Sequence, residues 1–406
     1  MRFSGFDDEW IEEKLGNLVQ IKSGECTKNL ITGIDNSIPY FKVEQLNNSL
    51  KYQIKTPYFI NDKSKIVNKG SIIFPKRGAA ILLNKIRILN QDSFMDTNLM
   101  TLTPNNKLYN EFLYYFIYKE NLSKIADTTS IPQLNNKHIK PYPIKLPSFE
   151  EQLKISKFIS SVDKKVSLLS QNLEIFNDFK KGLLQQIFTQ KLRFDFDEDW
   201  YIDKIGNNSE VFGRIGFRGY TVDDLVDKGQ GALTIGGKHI SKNFQLDLSD
   251  PEYLSWEKYE ESPEIKIYNG DVLLVKTVSV GKVCFIENLN EPATLNPQLI
   301  VFKNIKLNNK FFYYYLTSNL FQKDIHKIKS TTGIPTITQK ELLNLNIIYP
   351  SLEEQEKIVN FLSIVDKKIS SIDKNLKDIK KFKKGLLQQM FVVQLILSLL
   401  QNKKHI

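Results

Sequence analysis

The sequence is poor in the residues from which self-sufficient active sites are built. Its two cysteines, Cys26 and Cys284, stand far apart without metal-ligand spacing. Neither a disulfide framework nor a zinc site is thereby indicated. Four histidines, His138, His239, His326 and His405, are scattered and form no H-x-x-x-H pair. No run reaches the roughly 18 apolar residues that a membrane span needs. The N-terminal Met-Arg-Phe-Ser-Gly-Phe-Asp-Asp-Glu-Trp lacks the apolar core of a signal peptide, so a reducing cytoplasm is the expectation. Catalytic loops are wanting too. Asn296-Pro297-Gln298-Leu299 has neither the second proline nor the aromatic of a base-flipping methyltransferase and reads as a turn before a strand. Gly236-Gly237-Lys238-His239 places a histidine where a phosphate loop needs Ser or Thr. Glu264-Ile265-Lys266 resembles the tail of a nuclease motif but has no acidic partner at the usual spacing. No intrinsic catalytic site, metal site or cofactor is expected.

What is present is a surplus of positive charge. The 406 residues carry a formal net charge of +10, with ordinary hydrophobic (41%) and charged (25%) fractions. That length suits two or three domains, and that charge suits a polyanionic partner such as DNA, RNA or an acidic membrane surface, beside the plainer reading of a merely basic protein.

The chain also says nearly the same thing twice. Pro147-Ser148-Phe149-Glu150-Glu151-Gln152 returns as Pro350-Ser351-Leu352-Glu353-Glu354-Gln355. Val162-Asp163-Lys164-Lys165 returns as Val365-Asp366-Lys367-Lys368, and Lys180 to Gln186 returns as Lys383 to Gln389. The offset is 203 each time (350 − 147, 365 − 162, 383 − 180). A solenoid period is about 20–50 residues, so this is a duplicated half-molecule. In the first copy Ile155, Ile159, Val162, Val166, Leu169, Leu173, Phe176, Phe179, Leu183 and Ile187 recur at steps of three or four. In the second copy Ile358, Leu362, Val365, Ile369, Ile372, Leu376, Ile379, Phe382, Leu386 and Met390 sit 203 residues later. This is the pattern of a long helix with one apolar seam. Two such helices can bury their stripes against each other, and in a pseudo-two-fold molecule that pairing is antiparallel. The Ser-x-Glu-Glu start places acidic side chains at the positive helix end. A helical hairpin serving stability alone is the competing reading. A lead-in peptide is repeated as well: Arg193-Phe194-Asp195-Phe196-Asp197-Glu198-Asp199-Trp200 echoes Arg2-Phe3 to Trp10, like a ring cut open at one point.

The segments between the copied stretches diverge in sequence but keep landmarks. Gly70-Ser71-Ile72-Ile73-Phe74 parallels Gly270-Asp271-Val272-Leu273-Leu274, a turn feeding a strand. Phe112-Leu113-Tyr114-Tyr115-Phe116 parallels Phe311-Phe312-Tyr313-Tyr314-Tyr315, and Ser130-Ile131-Pro132-Gln133-Leu134 parallels Gly333-Ile334-Pro335-Thr336-Ile337. The expected fold is mixed α/β (α+β), with two similar globular domains separated by two long antiparallel coiled-coil helices. The expected organisation is 1–147, a first recognition domain; 148–191, the first helix; 192–349, a second recognition domain; 350–391, the second helix; and 392–406, an atypical tail. The seam assignment rests on Ile155, Ile159, Val162, Val166, Leu169, Leu173, Ile358, Leu362, Val365, Ile369, Ile372 and Leu376.

The loops of both domains are basic and rich in amides. Arg and Lys bond guanine edges, Asn and Gln bond adenine edges, and Ser, Thr and backbone amides hold phosphates. Candidate contacts in the first domain are Lys22, Lys42, Gln45, Asn47, Lys76, Arg77, Asn98 and Gln133. In the second they are Arg214, Arg218, Tyr220, Lys238, His239, Lys276, Thr277, Gln298 and Thr336. Taken singly, each is more often solvated surface; the set carries the argument.

With these residues in view, the chain resembles the specificity subunit of type I restriction–modification systems over about residues 1–391. The marks are the paired Pro-Ser-x-Glu-Glu-Gln starts, the Val-Asp-Lys-Lys segments, the Lys-Lys-Gly-Leu-Leu-Gln-Gln ends and the Arg-Phe lead-ins, with Gly213-Arg214-Ile215-Gly216-Phe217-Arg218-Gly219-Tyr220 beside them. The resemblance implies that each globular domain reads one half of a split site on double-stranded DNA. It implies helices that set the gap and dock two methyltransferase subunits, with restriction subunits joining them. It implies no cofactor in this chain: S-adenosylmethionine would belong to the methyltransferase, ATP and Mg to the restriction subunit. The stretch after Phe391 departs from the family, whose members usually end near that point. Two other readings stay open here, a stand-alone nuclease and a protein scaffold without a DNA role. Cleavage by the pure chain, lost on substituting Glu264 and Lys266, would mark the first; salt-independent partner binding without DNA binding would mark the second.

Overall fold

The computed structural model describes residues 2–27, 30–32, 37–61, 66–127, 131–194, 196, 198–214, 216–330 and 333–392. Ser130, Ile215 and the tail beyond Val392 lie outside the described residues. The chain forms two compact units, Met1–Leu168 with Asn375–Ile406, and Leu169–Lys374.

In the first unit the strand Ile11–Lys14 pairs antiparallel with Pro143–Leu146, closing the globular part at its two ends. Its main sheet runs Val19–Ser23, Leu99–Pro104, Ile72–Pro75, Arg87–Leu89, Tyr52–Gln53. A second sheet runs Ile31–Thr32, Tyr58–Ile60, Ile38–Phe41, Phe94–Met95. The second unit repeats the plan. Tyr201–Lys204 pairs with Asn346–Tyr349. The main sheet runs Glu210–Gly213, Leu299–Lys303, Val272–Val275, Val283–Phe285, and a second sheet runs Leu225–Val226, Glu252–Ser255, Gly231–Ile235, Ala293–Leu295. Even the register repeats: Met100 faces Ser23 and Leu99 faces Pro75, as Ile300 faces Gly213 and Leu299 faces Val275.

The central strands are apolar without interruption because both faces are covered. Ile72 and Phe74 pack on the aromatic helix Asn110–Glu120, whereas Ile73 on the other face packs with Phe41 and Leu89. Val272 and Leu274 likewise meet the helix Asn309–Thr317, while Leu273 and Val275 meet Leu233 and Ile235. Gly70 and Gly270 turn into these strands with φ of +85° and +96°, a conformation that glycine adopts without steric penalty.

The long helices run Phe149–Phe188 and Leu352–Val392. In the first unit Ile155, Ile159 and Val162 share a core with Leu386, Leu387 and Met390 of the other helix. In the second unit Leu183, Leu184 and Ile187 share a core with Ile358, Leu362, Val365 and Ile369. The early part of each helix thus lies beside the late part of the other, which is the antiparallel arrangement. Ile372 and Leu376 are buried; Val166, Leu169 and Leu173 are half-buried. The stripe departs from expectation at Phe179 and Phe382, which are 52% and 48% exposed. Each three-residue step turns the helix about 60° short of a full revolution, so two in succession carry these positions off the seam. Leu184 and Leu387 are buried in the turn that follows.

The repeated hexapeptide does more than start a helix. Glu151 and Glu354, each 1% exposed, are met by the guanidinium forks of Arg2 (2.9 Å to both oxygens) and Arg193 (3.2 and 2.8 Å). Gln152 accepts from the Tyr109 N–H and donates to the carbonyls of Lys107 and Pro147; Gln355 accepts from the Asn308 N–H and donates to Pro350. An aromatic cluster closes each unit. Phe188, Trp200 and Phe311 meet in the second, with centroids 5.5–6.1 Å apart; Phe112 bridges Trp10 and Phe391 in the first.

Replacing Val162 and Val365 (6% and 7% exposed) with Asp puts a carboxylate into each seam. The expected cost is about 3 kcal/mol per site. A double variant with an unchanged melting temperature would refute the seam.

Candidate nucleic-acid interface

The chain returns three times to one corner of each globular part. In the first unit the end of the central strand continues into Lys76-Arg77-Gly78, where the Lys76 N–H donates to the Asn98 carbonyl (2.8 Å) and Arg77 bridges to Gln133. Leu134 N–H donates to the Lys76 carbonyl and Gly78 N–H to the Pro132 carbonyl, both at 2.8 Å. The second unit repeats every one of these bonds. Lys276 N–H donates to the Gln298 carbonyl (2.8 Å), Thr277 bridges to Thr336, Ile337 N–H donates to Lys276, and Val278 N–H donates to Pro335. Lys76, Arg77, Asn98 and Gln133 are therefore brought together, as are Lys276, Thr277, Gln298 and Thr336.

A fourth segment joins each corner. Asp96 N–H donates to the Phe41 carbonyl (2.9 Å), next to Lys42; Asn296 N–H donates to the Ile235 carbonyl (3.0 Å), next to Gly236. Asp96 Oδ1 accepts from Asn98 N–H and Asn296 Oδ1 from Gln298 N–H, so Asn296-Pro297 is the turn before a strand that its sequence suggested. Gly237 N–H reaches Gln298 Oε1 at 3.3 Å.

The candidates differ in what their side chains do. Asn47, Arg77, Asn98, Gln133 and Lys238 are exposed. Lys22, Lys42, Lys76, Arg218, Tyr220, Lys276, Thr277, Gln298 and Thr336 are half-buried. Burial holds the ammonium groups of Lys76 and Lys276 below the ordinary lysine value. Cations already stripped of part of their water gain more from an arriving phosphate. Lys22 donates to the Ile66 carbonyl, Lys42 lies over the Tyr58 ring, and Lys238 is engaged by Asp250 and Glu252. Gln45, His239 and Arg214 are buried and turned inward. Gln45 Oε1 accepts from Lys42 N–H and His239 Nδ1 from Gly236 N–H, the same loop-closing bond in both units. Arg214 donates to the Leu295 and Arg218 carbonyls and to Thr294 Oγ1, and lies 5.4 Å from the Tyr220 ring. These three side chains shape loops from within.

Two residues at the corner of the second unit are apolar and exposed. Val278 and Ile334 are 60% and 69% exposed, and Val278 has φ +65° where the first unit has Gly78 at +83°. A β-branched residue held there is strained, by roughly 1–3 kcal/mol, and apolar tips of this kind suit thymine methyl groups. The signal in the sequence was the alignment of Val278 with Gly78.

The nuclease-like triplet dissolves. Glu264 pairs with Arg218 (3.3 Å) and Lys266 with Glu260 (2.5 Å). Among the described residues no group of three His, Cys, Asp or Glu is placed to hold a metal, and no helix is long and apolar enough to cross a membrane.

Two copies of one mixed α/β frame, each with a polar corner and each resting on long helices, define a duplicated binding protein. Residues 7–175 and 240–381 match the family model described as the type I restriction modification DNA specificity domain, and the chain belongs to that family, whose members are non-catalytic specificity subunits. The type I restriction enzyme MjaVIII specificity subunit of Methanocaldococcus jannaschii is 25% identical over 403 residues, covering 94% of this chain and 91% of that one. The fold is similar to the crystal structure of the type I S subunit from M. genitalium (TM-score 0.61, 17% identity, 96% and 97% coverage). It is also similar to a chain solved in a study of complex assembly and conformational transition of the type I R-M system (TM-score 0.58, 18% identity, 96% and 99% coverage). Membership and fold agree with the expectation from sequence, and the nuclease and scaffold readings are not favoured.

Val278→Gly is expected to raise stability by about 1 kcal/mol, read as a higher melting temperature, because it removes the left-handed strain. A fall would show that the Val278 side chain is held by packing.

Proposed function

We infer that each globular part reads one half of a bipartite, asymmetric site on double-stranded DNA. The helix pair then sets the number of base pairs between the half-sites and docks two methyltransferase subunits, through which restriction subunits join. The observation that carries this reading is the corner built twice with the same backbone bonds and different side chains: Lys, Arg, Asn and Gln in the first, Lys, Thr, Gln and Thr in the second. One frame with unlike side chains suits two unlike half-sites. In the first unit Arg77, Asn98, Gln133 and Asn47 are the base-reading candidates, with Lys76, Lys42 and Lys22 on phosphates. In the second, Gln298, Thr336, Thr277 and the apolar Val278 are the readers, with Lys276, Lys238 and Arg218 on phosphates. S-adenosylmethionine, ATP and Mg enter through the partners, and the assembly works in the cytoplasm. Linking two weak readers makes the second contact effectively intramolecular, so specificity multiplies without a larger domain.

Mapping methylated adenines with and without this gene, beside its methyltransferase partner, is the direct test. A split motif is expected to vanish on deletion; unchanged methylation with an active partner would refute the reading. Inserting a helical segment into the first long helix should lengthen the gap and leave both half-sites intact. In the assembled complex, Lys76→Ala and Lys276→Ala should each lessen the slope of log affinity against log salt by about one. An unchanged slope would place those lysines off the phosphates.

A further inference from the structure

An apolar stripe resists separation better than it resists sliding, because a shift by one turn exchanges one set of aliphatic contacts for another. Polar groups that find partners in one alignment only are what pin such a pair. Each unit holds one such group at the same repeated position. Asp163 of the first long helix accepts from the Tyr115 hydroxyl through Oδ2 (2.7 Å), while its Oδ1 faces Lys383 of the second long helix. Asp366 of the second long helix accepts from the Tyr314 hydroxyl through Oδ2 (2.7 Å), while its Oδ1 faces Lys180 of the first at 2.6 Å. Both ion pairs are largely covered, with side chains 14–24% exposed. Lys180 also lies over the rings of Tyr313 and Tyr314, and Lys383 over that of Tyr118. Each carboxylate therefore joins three elements: its own helix, the opposite helix and the aromatic helix of the globular part. Burial raises the tyrosine hydroxyls well above their ordinary value, so they remain donors.

The first unit extends the junction. Lys51 donates to Tyr115 Oη (2.9 Å), Ser160 Oγ (3.2 Å) and Glu111 Oε2 (2.8 Å). Two residues on, the buried Gln53 amide donates to the Gln45 carbonyl (3.1 Å), inside the loop that carries Asn47. One short stretch of chain thus holds that loop through the Gln53 side chain and the first long helix and the aromatic helix through the Lys51 side chain.

We propose that Asp163 with Lys383 and Tyr115, and Asp366 with Lys180 and Tyr314, are positioning residues that lock helix register and domain orientation together and so fix the gap between half-sites. Lys51 couples this lock to the first reading loop. The proposal rests on the reading of the helix pair as the element that sets the gap.

The experiment compares wild type, Asp163→Asn, Lys383→Met, their double variant, the equivalent Asp366→Asn and Lys180→Met set, and Lys51→Met. Each is expressed in full length with the methyltransferase partner. Two readouts are taken: the distribution of gap lengths in methylated motifs, and the melting temperature of the complex. Expected are a single gap in wild type and extra motifs one base pair longer or shorter in the Asp→Asn variants, with half-site sequences unchanged. The double variant should melt above the sum of its single losses, since it leaves no unpaired lysine. Lys51→Met should broaden the first half-site alone. Variants that melt lower yet keep a single gap would overturn the proposal and leave these residues as stabilising contacts only. If wild type itself methylates no split motif, the underlying reading fails instead. Additive melting losses would overturn the lock as well, because they would show that carboxylate and lysine are not coupled.

Discussion

A carboxylate taken out of water must be given a partner, and this requirement at Glu151 and Glu354 organises the rest of each unit. The expense of an isolated buried charge is several kcal/mol, and a two-pronged guanidinium meets it best. Arg2 and Arg193 answer it, so the lead-in peptide must lie against the start of the long helix. The strand that follows the lead-in then pairs with the strand that precedes the helix, Ile11–Lys14 with Pro143–Leu146 and Tyr201–Lys204 with Asn346–Tyr349. The globular part is closed at its root, and whatever happens between those two strands happens on a fixed base.

The division between what repeats and what varies follows from which atoms are held. Gln152 grips the backbone of Lys107, Tyr109 and Pro147, and Gln355 grips that of Asn308 and Pro350. The corner itself is drawn by carbonyls and amide hydrogens. Main-chain atoms are the same whatever the side chain, so the frame tolerates Arg77 and Gln133 in one copy and Thr277 and Thr336 in the other. Gln45 and His239 show the same economy, two unlike side chains supplying one acceptor to one N–H.

Periodicity and repetition made the skeleton legible before any coordinates. Ten apolar positions and their echo 203 residues later announce paired helices, and glycine before an apolar run announces the turn into each central strand. The site was legible only in part. Composition points to basic and amide-rich loops, but it cannot say which way a side chain turns. Arg214 looks like a reader in the sequence and is folded inward onto carbonyls, because a guanidinium beside a bent glycine-rich stretch can satisfy main-chain acceptors there. Asp163 and Asp366 lie off the apolar stripe, and nothing in the sequence links them to Tyr115, Lys383, Tyr314 and Lys180, which are distant along the chain. Phe179 and Phe382 fall outside the seam because two three-residue steps in succession leave the face that alternating steps of three and four preserve.

The two units differ in one respect that matters while the protein is being made. The second is assembled from a continuous stretch, Leu169–Lys374, whereas the first needs Asn375 onward to complete it. Leu386, Leu387 and Met390 fill the core in which Ile155, Ile159 and Val162 lie, and Phe391 completes its aromatic cluster. On the ribosome the half synthesised first must therefore wait, with an apolar stripe uncovered, until the last turns of the second long helix emerge. The half begun later can close before it. Such long-range closure is slow and leaves the waiting segment open to aggregation, so chaperone dependence and degradation of truncated chains should fall on the N-terminal half.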